Sequence, residues 1–81
     1  MKAKIVVTLK KKILDPQGQT IHRSLRRMGR FEVSQVRQGK YFEIEFNFST
    51  DIEATRRLVE EISRDILSNP LIENFEIQEI S

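Results

Sequence analysis

The chain has 81 residues, enough for one domain spanning 1–81 and no more. It has no cysteine and a single histidine, which excludes disulfides, thiolate metal sites and paired-histidine metal sites. The net charge is only +2, but residues 1–40 carry eleven Lys or Arg against Asp15 and Glu32, a balance of +9, whereas residues 41–81 carry three Arg against ten acids, a balance of −7.

Residues 3–10 read as a strand, with Ile5, Val7 and Leu9 alternating against Lys4, Thr8 and Lys10. The apolar run near the start is too short for a signal-peptide core or a membrane span. A soluble, cytoplasmic protein is therefore expected. Asp15-Pro16 opens a helix: Asp accepts an orphan backbone N–H, and Pro fits a position whose donor is not needed. Ile21, Leu25 and Met28 form one apolar stripe, and Gly29 is a natural stop.

Residues 31–38 are predicted as a second strand, Gln38-Gly39-Lys40 as a turn, and 41–48 as a third strand. In the third, Phe42, Ile44, Phe46 and Phe48 point one way and Glu43, Glu45 and Asn47 the other. Thr50-x-x-Glu53 reads as a capping box for a second helix with the stripe Ile52, Leu58 or Val59, Ile62 and Ile66. Asn69-Pro70 ends it, Asn being tolerant of a left-handed cap, and residues 72–80 form a last strand. The order β-α-β-β-α-β is that of an α+β, ferredoxin-like split βαβ fold, with an antiparallel sheet and both helices on one face.

No catalytic constellation is present. His22 has no nucleophile to serve and reads as a partly exposed helix residue; the serines lack a nucleophile context. Gly18, Gly29 and Gly39 are too scattered for a phosphate-cradling loop or a dinucleotide fingerprint. A small basic nucleic-acid-binding module is the rival reading, since RNA-recognition modules share this element order. Such modules stack bases on aromatics of the open sheet face. Here Phe42, Phe46 and Phe48 share the face of Ile44, and Glu43 and Glu45 occupy the open one, where they repel phosphate.

Part of the charge asymmetry is expected to be structural, with Lys4 and Thr8 beside Glu43, Glu45 and Glu76 on the outer face. Val6 lies on that face by parity, and Val36 and Ile80 break the parity of their strands. Stray apolar residues on an open face predict a homodimer or a larger assembly.

Three segments resemble the PurS family: Val7 to Lys10 with Ile13-Leu14-Asp15-Pro16-Gln17-Gly18, then Val36 to Lys40, then Leu67 to Glu73. Lys11-Lys12 departs from the Pro or Gly expected before the Asp-Pro cap. The resemblance implies a non-catalytic, structural subunit of phosphoribosylformylglycinamidine synthase in purine biosynthesis. That ATP-dependent ligase converts formylglycinamide ribonucleotide to the amidine with ammonia from glutamine. It implies a dimer or higher homo-oligomer that bridges a PurL-like synthetase subunit and a PurQ-like glutaminase subunit, with a part in ammonia transfer. It implies no cofactor on this chain, since ATP, Mg and glutamine are used by the partner subunits, and neither nucleic acid nor membrane as a partner. Gln17, Arg37, Lys40 and Glu73, which local structure explains least, are the expected partner-binding residues.

Overall fold

Ala3, Ile5 and Val7 are sealed from solvent, and the residues between them are only half-buried. They belong to β1 (Lys2–Leu9), the middle strand of a three-stranded antiparallel sheet. The structure, a computed structural model, describes residues 1–47 and 51–81. β1 is followed by α1 (Pro16–Arg27), β2 (Gly39–Glu45), α2 (Ile52–Ile62) and β3 (Glu73–Ile80), and the sheet order is β2-β1-β3. A π-helical turn, Ser63–Leu67, continues α2.

The inner face follows the alternation read from the sequence. Phe42, Ile44 and Phe46 pack against the β1 core from one side, and Phe75, Ile77 and Ile80 from the other. α2 closes this face with Val59, which is fully buried, beside a nearly inaccessible Thr55. Phe48 and Thr50 lie outside the described residues.

Ile80 faces the core rather than the open side. Lys4 pairs with Glu79 and Ile5 with Ile77, so Gln78 is the extra residue of a β-bulge. One inserted residue reverses the facing of all that follows. Ile80 thereby comes opposite Ala3. The outer face carries the expected neutralisation, through Lys4–Glu79 at 3.1 Å and Lys2 with Glu43 and Glu45 at 3.9 and 3.8 Å. The bulge brings Glu79, rather than Glu76, to Lys4.

The α+β class and the antiparallel sheet stand, but two features of the expected layout do not form. The segment 31–38 is not a strand: Phe31 and Glu32 make a turn and 33–38 has no regular structure. Its backbone groups are engaged elsewhere. The Val33 carbonyl lies 2.9 Å from His22 Nε2, and the Gln38 N–H donates to Asp15 Oδ2. Nor does α1 contribute to the buried core on the sheet. Met28 is 74% exposed and Ile21 is also exposed. The molecule is correspondingly elongated, 51 × 24 × 16 Å.

Both helix starts are carboxylate-capped. Asp15 accepts from the Gly18 N–H at 2.9 Å, as predicted. The cap of α2 is Asp51, which accepts from the Ala54 N–H at 3.4 Å. α1 ends in a Schellman motif: Gly29 has φ +83°, its N–H donates to Arg26 O, and the Arg30 N–H donates to Leu25 O. Asn69 stops the second helix differently from expectation. No described non-glycine residue has positive φ; instead Asn69 Oδ1 accepts from the Leu71 N–H.

Candidate functional site

Asp15 is the organising residue. Its Oδ1 caps α1 through Gly18, and its Oδ2 accepts the Gln38 N–H at 2.7 Å, where β2 is about to begin. The Gln38 and Gly18 hydrogen bonds, with the nearby Arg37 guanidinium, hold the carboxyl below the usual carboxylate range. Gly18 makes the close approach possible. A Cβ there would collide with the Val36 carbonyl and come within 2.8 Å of Asp15 Oδ2.

This junction forms the floor of a cleft of about 400 Å³ between the start of α1, the start of β2 and the start of β3. Gln17, Lys40 and Glu73 all line it, beside Val7, Leu9 and Pro16. Three of the four residues singled out from the sequence therefore converge, although they lie far apart in the chain. The Gln38 side-chain amide donates to Gln17 Oε1 across the cleft. Glu73 is half-buried and its Oε1 accepts the Asn69 N–H at 2.7 Å, locking the loop before β3. Lys40 is exposed.

Arg37 lies apart from this cleft and lines the neighbouring concavity. It was expected, with Lys40, to flank a hairpin tip. No hairpin exists there: Gly39 and Lys40 are the first residues of β2, paired with Thr8 and Val7. Arg37 Nη2 donates to the Leu9 carbonyl at 2.7 Å and the Lys10 carbonyl at 3.1 Å, tying this segment to the end of β1. Asp15 and Gln38 carry the geometry but were not among the expected site residues. Asp15 was already explained as a helix cap, and one cap uses only one of its two oxygens.

An amide, an ammonium and a carboxylate around an apolar wall can recognise a polar segment of another molecule. Among the described residues no group of three or more His, Asp or Glu could hold a metal ion. None of the described helices is long and apolar enough to cross a membrane. On the outer sheet face, Tyr41 donates to Glu43 Oε1 at 3.0 Å, among Lys2–Glu43, Lys2–Glu45 and Lys4–Glu79 ion pairs. Such a surface offers acids to a phosphate backbone, which weighs against the nucleic-acid reading.

The family model for PurS, phosphoribosylformylglycinamidine (FGAM) synthase, matches residues 2–80. The chain belongs to the PurS family. It is 38% identical to the PurS subunit of Bacillus subtilis phosphoribosylformylglycinamidine synthase, over 98% of this chain and 94% of that relative. The crystal structure of PurS from Methanocaldococcus jannaschii, one of the subunits of formylglycinamide ribonucleotide amidotransferase in the purine biosynthetic pathway, superposes with a TM-score of 0.82. It has 34% identity and covers 99% of this chain and 98% of its own. A chain in the structure of PurLQS from Thermotoga maritima superposes with a TM-score of 0.74 at 26% identity, covering 99% of both. PurS is thus a subunit of an enzyme complex of purine biosynthesis, as the resemblance implied.

Proposed function

We propose that this chain is the non-catalytic structural subunit of phosphoribosylformylglycinamidine synthase, acting as a homodimer that bridges the synthetase and glutaminase subunits. The observation that carries this reading is the end-to-end similarity to PurS subunits, including one in a PurLQS assembly. The ATP, Mg and glutamine of the reaction are handled by the partner subunits. By holding them together, the chain assists transfer of ammonia from one to the other.

Two features support an assembling role. α1 leaves Ile21 and Met28 exposed, with Phe31 just beyond, and such a surface gains by burial against protein. The cleft of Gln17, Lys40 and Glu73 offers three polar groups of different chemistry from three different elements, as a specific docking site requires. We assign Gln17, Lys40 and Glu73 to partner contact.

The test is affinity capture on the immobilised chain with purified synthetase and glutaminase subunits, supplied singly and together. Retention of both, lost on substitution of Gln17 and Lys40, is the expected result. Failure to retain either subunit under any nucleotide or glutamine condition would contradict the proposal.

A further inference from the structure

We propose that the concavity between the Lys10–Ile13 turn, α1 and residues 34–37 is a binding site for a doubly charged phosphate group. The site is distinct from the cleft of Gln17, Lys40 and Glu73. It measures about 650 Å³, within the roughly 300–1,000 Å³ typical of small-molecule sites. Lys11, Lys12 and Arg37 line it, and among the described residues Asp15 is its only acid. Asp15 is ionised and offsets one of the three cations, so the lining keeps a positive balance of two.

Backbone geometry brings the three residues together, with Lys11 and Lys12 exposed. The Ile13 N–H donates to the Lys10 carbonyl at 2.9 Å, closing a β-turn with Lys11 and Lys12 as its two central residues. Arg37 Nη2 donates to the Leu9 and Lys10 carbonyls, fastening that turn to the opposite wall. Among the described residues no acid pairs with the Lys11 or Lys12 ammonium, and Arg37 keeps Nη1 and Nε free of protein acceptors. The remaining guanidinium N–H donors and two ammonium groups lining one concavity suit a phosphate, which carries about two charges near neutral pH and three acceptor oxygens. A single carboxylate would match only half of this charge. Ile13 and Val36 add apolar wall, and Ser34 a hydroxyl, on the scale of a nucleotide's sugar and base.

The experiment titrates the full chain, in its native oligomer, with pyrophosphate and with adenosine monophosphate, followed by calorimetry and by amide chemical shifts. Saturable binding is expected to perturb Lys11, Lys12 and Arg37 and to weaken as ionic strength screens the open site. Lys11→Gln with Lys12→Gln should weaken it about tenfold or more, as expected for lost charge-assisted contacts, while Lys40→Gln in the other cleft leaves it unchanged. Tighter binding of adenosine monophosphate would assign the site to a nucleotide-sized ligand, and tighter binding of pyrophosphate to the free anion. No saturable binding at millimolar concentrations would overturn the proposal, as would binding indifferent to the double substitution. So would preferential binding of a single-stranded oligonucleotide.

Discussion

Asp15 and Gln38 are 23 residues apart in the chain, and the Gln38 N–H donates to Asp15 Oδ2 at 2.7 Å. The other oxygen of the same carboxylate caps α1 at Gly18. One side chain therefore sets where the first helix begins and where the irregular segment before β2 is moored. The seam should respond to acid. The carboxyl is held below its ordinary range by these hydrogen bonds, so its stabilisation is fully present above the unfolded value of about 4. It is lost as pH falls through the lower folded value. Protection of the Gly18 and Gln38 amides, measured against the intrinsic exchange rate at each pH, should fall in that acid window in the wild type. Asp15→Asn, which keeps an acceptor but cannot titrate, should flatten this dependence. Identical acid profiles for the two proteins would contradict the account.

Gly18 should be intolerant of any side chain. A Cβ would meet the Val36 carbonyl and Asp15 Oδ2, both held by the same seam. Gly18→Ala is expected to destabilise by about 1–3 kcal/mol, the usual cost of overpacking, despite alanine's better helix propensity. Chemical denaturation measures this directly. An unchanged midpoint would mean that the seam yields freely.

Arg37 and Lys40 should separate into different kinds of residue. Arg37 holds two carbonyls at the end of β1, so Arg37→Ala is expected to cost about 1 kcal/mol of stability. Lys40→Ala removes an exposed side chain and should change stability by less than about 0.5 kcal/mol. Its expected effect is on affinity for the partner subunits, about tenfold or more if the ammonium is buried against an acid there. Thermal melts and binding titrations of the two single variants distinguish these roles.

The legible parts of this fold were those where period and packing agree. Phe42, Ile44 and Phe46 alternate with acids, and all three reach the core. Asp15-Pro16 and Gly29 punctuate α1 through the conformations their chemistry favours. Ile80 was misplaced because the single inserted residue, Gln78, changes phase without a turn signal. The segment 31–38 reads as a strand in the sequence and forms none. Its backbone partners are the side chains of Asp15 and His22, which no local pattern discloses. The cleft could be read only in part. Gln17, Lys40 and Glu73 were picked out separately as locally unexplained, but their convergence depends on β1 lying between β2 and β3.

Self-association should depend on α1. Ile21 and Met28 are exposed, and Leu25 between them is only half-buried, so the stripe read from the sequence is left without cover by its own sheet. Light scattering at tens of micromolar should give at least twice the single-chain mass. Ile21→Glu with Met28→Glu should reduce it to one chain with the far-ultraviolet helix signal retained. A single-chain mass for the wild type would remove the dimer from the account.

Reconstitution tests the central claim most directly. Synthetase and glutaminase subunits from the same source are mixed with and without this chain, and glutamine-dependent amidine formation is followed together with the mass of the complex. The account predicts that the three chains co-elute and that glutamine-dependent turnover requires this one, which alone hydrolyses neither ATP nor glutamine. Equal turnover and an equal complex in its absence would contradict it.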